Sequence, residues 1–281
     1  MLKQITVANK TYLLDDNLYS NCIEFKKRHV LKWDNVLIVD GMEGIGKSTS
    51  LAFPIAWTLS GLPLRVVFNI QQFNQEYDEA QPGECIIFDE FVTAGLSTAA
   101  MTQIQKSIIE KLTMGRKKRV YIILVIPSFY MLRKYFAVHR SISLIHAFSE
   151  DLMSRGHFSF FGYNSKKNLY LHYRKYESYP MRKSGFIGNY PKYNDNTFIS
   201  EKYYQDKKDE AIRMAGKIEK EEKEDKPTKL YKKLFIIDVM KKRELKYTTK
   251  DIVKYYDNEI NHIAISNLIQ RSNHHLENKV K

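Results

Sequence analysis

The residues best suited to chemistry form one stretch, Gly41-Met42-Glu43-Gly44-Ile45-Gly46-Lys47-Ser48. It fits G-x-x-x-x-G-K-[ST] and lies between an apolar run (36–39) and a helix-compatible run (49–59). Glycines let the backbone point its N–H groups at a triphosphate, and the start of a helix adds partial positive charge. In this pattern Lys47 reaches the β- and γ-phosphates and Ser48 holds Mg²⁺. The stretch, with Thr49, is therefore predicted to bind ATP and Mg²⁺.

Two acids complete the predicted site. Asp89 and Glu90 end the apolar run Cys85–Phe88, as in a buried parallel strand whose carboxyl end meets a ligand. Asp89 is predicted to reach Mg²⁺ through water, and Glu90 to orient and deprotonate the attacking water. The alternative is a strand that runs into a solvated acidic turn. Behind a phosphate-binding loop, the acid pair favours hydrolysis of ATP over phosphoryl transfer to a small acceptor.

Cations and one serine are further candidates for the site. The helix predicted over 98–115 ends in Arg116-Lys117-Lys118-Arg119, directly before an apolar run. These cations either complement the helix C-terminus, or Arg116 or Arg119 reaches the γ-phosphate bound by a neighbouring subunit. Arg133 and Arg140 are rivals for that role. Ser128, after the next strand, is either a γ-phosphate sensor or a helix N-cap.

Short apolar segments alternate with helix-like segments from residue 35 onward. Strands are predicted at 36–40, 64–69, 84–89, 120–126 and 142–148, with helices at 47–59, 72–80, 98–115 and 128–138. This alternation predicts an α/β fold with a parallel central sheet, right-handed crossovers and a ligand at the strand C-termini. Five strands with the phosphate-binding loop after the first match a RecA-like core. Pro54 is expected to kink or break the first of these helices.

The flanking segments are less regular. Residues 5–14 predict a small hairpin, followed by a helix capped by Asp16 or Asn17 that runs to about Lys27. After residue 150, the runs 157–161 and 169–173 predict an antiparallel edge hairpin. The stretch 174–200 mixes tyrosines with cations. It is either an irregular wrap over the core or a surface that stacks the bases of single-stranded nucleic acid.

The C-terminal part is predicted to be a separate small module. A charge-rich stretch, 201–228, indicates an exposed helix or a linker. The chain from Pro227 onward carries twelve Lys or Arg and six Asp or Glu, and it holds three helical stretches. Their outline suits a helix-turn-helix in which Ser266, Asn267, Gln270 and Arg271 contact DNA, or else a helical bundle for protein contacts. The predicted divisions are a cap (1–35), the ATPase core (36–200), the linker (201–228) and this module (229–281).

Length and composition agree with this organisation. A chain of 281 residues, 43% hydrophobic, can hold one full α/β domain and a small second module. The net charge of +13 favours a polyanionic partner. Cys22 and Cys85 match no disulfide or metal motif, which favours a reducing, cytoplasmic setting. The longest apolar run, 120–127, is too short to span a bilayer, and the first ten residues lack a signal-like segment, so no membrane association is expected.

The two motifs, the cation run 116–119 and the segment Val125-Ile126-Pro127-Ser128 resemble the FtsK/HerA superfamily of P-loop ATPases, which includes Zot-like proteins and viral DNA-packaging ATPases. The resemblance covers about residues 35–175. It implies a RecA-like (ASCE) P-loop NTPase and a cytoplasmic homo-oligomeric ring, hexameric or pentameric, that moves the DNA of a virus or plasmid. A portal or another DNA-processing protein is the implied partner, and the arginine finger is implied to be Arg116, then Arg119. The family usually has a glutamine sensor where this chain has Ser128, and Zot-like proteins of filamentous phages continue into a membrane span that this chain lacks.

Two other functions remain open at this stage. An ATP-gated DNA-binding switch or loader would hydrolyse ATP weakly and would not move along DNA. A P-loop kinase for a small molecule would be expected to lack the Asp89-Glu90 pair and to need no basic tail.

Overall fold

The computed structural model describes residues 1–33, 35–89, 105–106, 108–113, 118–149, 151, 154–191, 198–200, 202–211 and 213. The chain divides into two units, Met1–Ile212 and Arg213–Lys281, and every strand and helix named here belongs to the first. The predicted C-terminal module, with Ser266, Asn267, Gln270 and Arg271, lies outside the described residues.

The described strands form two sheets. The strands are β1 Leu2–Val7, β2 Lys10–Asp15, β3 Asn35–Gly41, β4 Arg65–Val67, β5 Cys85–Phe88, β6 Tyr121–Ile126, β7 Ser143–Phe148, β8 His157–Phe161 and β9 Phe186–Asn189. The first two pair as the predicted hairpin. The other seven form one sheet in the order β4-β5-β6-β3-β7-β8-β9, parallel from β4 to β7 and antiparallel at β8 and β9. The predicted α/β class is confirmed, and this order is compatible with a RecA-like fold.

Burial explains why the central strands are apolar along their whole length. Every residue of β3, β5 and β6 is buried, as expected for parallel strands with helices on both faces. The helices are α1 Asp16–Val30, α2 Phe53–Ser60, α3 Ile70–Glu79, α4 (residues 105–106 and 108–113), α5 Tyr163–Tyr173 and α6 (residues 202–211). The phosphate-binding loop thus follows directly after β3, a fully buried strand in the middle of the sheet.

The segment with Pro54 remains helical, and the predicted kink or break there is instead a change of helix type. The chain runs as a π-helical segment over Lys47–Ala52 and becomes the α-helix α2 at Phe53. The N–H of Phe53 donates to the carbonyl of Ser48, five residues earlier. Proline has no N–H to donate and fits only the first turn of an α-helix, so Pro54 sits at the change of register.

Two local predictions, the cap of the first helix and the helix over 128–138, are wrong. The helix α1 is capped by Asp15, whose side chain accepts from the N–H groups of Asn17 and Leu18, and it continues to Val30. The helix predicted over 128–138 is instead a 3₁₀ turn, Phe129–Met131, and a π-helical segment, Tyr135–Arg140. Between them the backbone bonds to other elements, because the Leu132 carbonyl accepts from Tyr170 and the Arg133 N–H donates to Gln105.

The prediction that residues 169–173 form the second strand of an edge hairpin is also wrong. Residues 169–173 belong to the helix α5, and the antiparallel partners of β8 are β7 and β9. With both edges of β8 filled, the next segment has no strand to join. As a helix it buries Lys166, Leu169 and Tyr170, spaced at three and four residues along one face.

Of the two interpretations of the stretch 174–200, the residues after β9 favour an irregular wrap over the core. Tyr190, Phe198 and Ile199 are buried in the hydrophobic cluster beneath α1 and α2. Both cysteines are buried and free, and burial raises the pKa of the Cys22 thiol to about 12. None of the helices in the described ranges has the length and apolar character needed to cross a membrane.

Candidate functional site

The loop after β3 has a backbone that only glycine tolerates well. Gly41, Gly44 and Gly46 have φ of +138°, +74° and +98°. A Cβ on Gly41 would lie 2.2 Å from the Ala147 carbonyl oxygen on β7, closer than any real contact. The glycine pattern therefore reflects a backbone requirement, as the sequence predicted.

Lys47 lies folded against this loop. Its Nζ donates to the carbonyl oxygens of Gly41 at 2.6 Å and of Met42 at 2.8 Å. From outside the loop, the hydroxyl of Tyr190 donates to the Ile45 carbonyl at 2.9 Å. The ammonium is thus held on the loop, where phosphate oxygens could replace the two carbonyls as its acceptors. Met42 and Glu43 are exposed on the same loop, and Thr49 is half-buried in the π-helical segment.

Ser48 and Asp89 meet although they are 41 residues apart. The Ser48 hydroxyl donates to Oδ1 of Asp89 at 2.8 Å. They come from the carboxyl ends of β3 and β5, with β6 between these strands, and Asp89 is 2% exposed. A hydroxyl and a carboxylate are the hard oxygen ligands that Mg²⁺ prefers, so this pair fits the ion. No cluster of three or more His, Cys, Asp or Glu side chains suited to a metal occurs among the described residues.

A residue that the sequence did not indicate completes the bonding of Asp89. The hydroxyl of Tyr204, on α6, donates to Oδ2 of Asp89 at 2.6 Å. Its ring packs edge-on against Phe53 and Phe68, with centroids 5.9 and 5.3 Å apart. The signal was weak, because Tyr204 lies in a charge-rich stretch without a motif. Both oxygens of Asp89 thus accept from protein hydroxyls.

The helix α6 is fixed to the sheet by polar contacts. The side-chain nitrogen of Gln72 on α3 donates to the Lys207 carbonyl and to Glu210, both at 3.1 Å. Lys207 also pairs with Glu76 at 2.9 Å, and Glu76 pairs with Arg65 at 2.6 Å. The start of the stretch 201–228 is therefore a docked helix that reaches the site.

A second buried carboxylate lies behind the loop. Asp40, on β3, is fully buried, and its Oδ2 accepts from the Phe129 N–H at 2.8 Å and the Tyr179 hydroxyl at 2.6 Å. Its Oδ1 is hydrogen-bonded to Nδ1 of His146 at 2.9 Å. The rings of His146 and Tyr179 stack with centroids 3.7 Å apart. Burial and the neighbouring Asp40 charge raise the pKa of Tyr179 far above its usual range, so its hydroxyl stays a donor.

Ser128 belongs to this buried network. Its Oγ accepts from the Tyr130 N–H at 3.3 Å and lies 3.4 Å from the Tyr179 hydroxyl. The N-cap interpretation is therefore confirmed, although the cap starts a 3₁₀ turn. A sensor role for Ser128 remains a prediction. Asp40 pairs in register with Ile126 and His146, so the network lies where three parallel strands end.

One further candidate, Arg119, lies away from this site in the structure. Glu90 and Arg116 lie outside the described residues. Arg119 directly precedes β6 and therefore lies at the amino edge of the sheet, opposite the loop; its carbonyl accepts from the Gly83 N–H. Any role of Arg119 at a phosphate would have to be in another subunit. Its neighbour Lys118 donates to the carbonyls of Tyr77 and Asp78 and so caps α3.

Neither the models of known protein families nor the sequences of curated proteins gave a match to this chain, so its function is argued from the site.

Proposed function

We propose that the chain is an ATPase with a RecA-like core that binds Mg²⁺-ATP at residues 41–49. The observation that carries this proposal is the 2.8 Å hydrogen bond from Ser48 to Asp89. It places the hydroxyl and the carboxylate that a magnesium-nucleotide site needs beside a loop with three left-handed glycines.

Each residue of the site has a task in this proposal. Lys47 would exchange its two loop carbonyls for phosphate oxygens. The start of the helical segment would add partial positive charge for the same anion. Ser48 would hold the Mg²⁺ ion, and Asp89 would contribute to its binding through water. Bound Mg²⁺ neutralises the charge that develops on the phosphates. Glu90, next to Asp89, is the proposed base for the attacking water.

The proposed work of the ATPase is the movement of DNA. Support comes from the net charge of +13, the basic C-terminal module and the resemblance to FtsK/HerA motors. In that form the protein is a homo-oligomeric ring that translocates or packages viral or plasmid DNA, with Arg116 or Arg119 acting on the neighbouring subunit. We propose the cytoplasm, or the host cytoplasm, as its place of action.

A second candidate is an ATP-gated DNA-binding switch or loader. The contact of Tyr204 with Asp89 favours it, because α6 directly precedes the C-terminal unit in the chain. A change in what Asp89 binds would then alter its hydrogen bond to α6, the helix that leads to the predicted DNA-binding module.

Steady-state ATPase activity separates these functions when it is measured without DNA, with duplex DNA and with single-stranded DNA. A motor predicts strong stimulation by its track, and a switch predicts a low rate that DNA does not change. Glu90→Gln should abolish turnover and retain ATP binding, whereas Lys47→Ala should weaken binding itself. Absence of Mg²⁺-dependent ATP binding to the purified wild-type protein would contradict both.

A further inference from the structure

A cleft of about 530 Å³ lies at the amino-terminal edge of the sheet. It is formed by the end of α1 and the turn after it, the end of the π-helical segment before β7, and the start of α5. Its charged and aromatic lining residues are Arg28, Lys32, Trp33, His139, Arg140 and Tyr163. The strand β3 begins beside this cleft and leads to the phosphate-binding loop, roughly 20 Å away for seven residues at about 3.3 Å each. The cleft is therefore separate from the ATP site.

The cleft carries more positive charge than the helix C-termini around it neutralise. Two helical segments end there, and their C-termini together contribute about one negative elementary charge. Arg28 and Lys32 bring two permanent positive charges, and no acidic side chain is among the described lining residues. Within the part of the chain that the structure describes, neither Arg28 nor Lys32 forms an ion pair. The surplus favours an anionic ligand.

Two exposed aromatic rings accompany these cations. The side chain of Trp33 is 59% exposed, and the Arg28 guanidinium lies 5.1 Å from the centroid of its ring. Tyr163, which also lines the cleft, is 45% exposed at the first turn of α5. Exposed aromatic rings among cations are the pattern by which proteins hold unpaired bases, because each base stacks on a ring while its phosphate meets a cation.

We propose that this cleft binds single-stranded nucleic acid, with phosphates at Arg28 and Lys32 and an unpaired base on Trp33. A base within a duplex has both faces covered by its neighbours, so Trp33 would select strands whose bases are free. The inference deepens the nucleic-acid part of the proposed function by naming a binding surface in the first unit. It requires neither ATP nor hydrolysis.

Trp33 itself reports on the proposal. The chain has two tryptophans, and the other, Trp57, is 6% exposed and donates its ring N–H to the Val7 carbonyl. We expect oligothymidylate, added to the full chain without ATP, to quench tryptophan emission to saturation. The affinity should fall with salt, with a slope of about 0.7 per phosphate contact. Equal or tighter binding of duplex DNA, equal quenching by thymidine monophosphate, or no binding would overturn the proposal.

Charge reversal locates the surface. Arg28→Glu with Lys32→Glu should weaken oligothymidylate binding at least about tenfold and flatten the salt slope. Arg182→Glu with Lys183→Glu makes the same change in net charge on the exposed turn before β9, and it should leave binding within about twofold. If only the second pair weakened binding, the strand would lie on the stretch 174–200 and the cleft assignment would be wrong. Trp33→Ala should abolish the quench in a chain whose folding is checked by circular dichroism. Lys47→Ala should bind the strand normally, so failure of the ATPase and failure of the cleft are distinguishable.

Discussion

The hydroxyl of Tyr204 donates to the carboxylate oxygen of Asp89 that Ser48 does not occupy, at 2.6 Å. One bond comes from Ser48, directly after the glycines of the phosphate-binding loop, and the other from a helix 115 residues beyond Asp89. The carboxylate proposed to act on Mg²⁺ is therefore oriented from both sides. Tyr204 acts in this scheme as a positioning residue, since its proposed effect on Mg²⁺ runs through Asp89.

Removal of this hydroxyl tests that role. We expect Tyr204→Phe to raise the Mg²⁺ concentration for half-maximal ATPase activity roughly three- to tenfold, since hydrogen bonds to charged groups contribute about 1.5–3 kcal/mol and part of that is orientation. Phenylalanine keeps the packing against Phe53 and Phe68, so stability should change little. Tyr203→Phe, one residue earlier, is the matched control. An unchanged or lower Mg²⁺ requirement in Tyr204→Phe would contradict the positioning role.

Gly41 should be less replaceable than another glycine of similar backbone. Gly83 has φ of +92° with no atom within 4 Å of the position that a Cβ would take, whereas a Cβ at Gly41 would collide with the Ala147 carbonyl. Gly83→Ala should cost about 1 kcal/mol from the left-handed backbone alone. Gly41→Ala should cost clearly more and should also weaken ATP binding. Denaturant unfolding and nucleotide titration of both variants check this, and equal costs would show that the close approach to β7 is not limiting.

The hydrogen bond between Tyr179 and Asp40 should contribute measurably to the free energy of unfolding. We expect Tyr179→Phe to lower the free energy of unfolding by roughly 1.5–3 kcal/mol, because it removes a buried donor from a buried carboxylate. The pKa of Tyr179 is raised in the folded protein, so above about pH 10 the unfolded chain loses this proton first. The contribution of Tyr179 to stability is then lost as the pH rises. The difference in the free energy of unfolding between wild type and Tyr179→Phe should therefore narrow. Urea unfolding at neutral and at alkaline pH measures it; a difference that widens would be the opposite result.

Lys166 should make stability depend on pH. It is fully buried, its Nζ donates to the carbonyls of Ala137 and Val138, and burial lowers its pKa from 10.5 to about 7. Between these values the unfolded chain binds more protons than the folded protein, so this group makes stability rise with pH, by up to about 1.4 kcal/mol per pH unit. Lys166→Met should remove that rise. Lys167→Met, on the neighbouring and more exposed residue, should retain it, and parallel pH profiles for the two variants would contradict the assignment.

The sequence by itself determined those features for which the local backbone conformation restricts the type of residue. A left-handed φ favours glycine, and Gly41, Gly44 and Gly46 all have a positive φ. Pro54 offers no N–H and marks the change from a π-helical to an α-helical segment. Buried parallel strands need continuous apolar runs, so β3, β5, β6 and β7 were recognisable, and with them the position of Asp89 at a strand end.

The tertiary structure alone decided which distant side chains meet. Tyr204, Tyr179 and His146 carry no motif, because their roles come from strand order and helix docking and not from their own neighbours in the chain. The segment 169–173 alternates enough to look like a strand, but β7 and β9 already occupy both edges of β8, and the segment folds as α5. Strand geometry also separates the proposed nucleic-acid cleft from the phosphate-binding loop. Trp33 and Gly41 are near in sequence but lie at opposite ends of β3, because an extended chain adds about 3.3 Å with every residue.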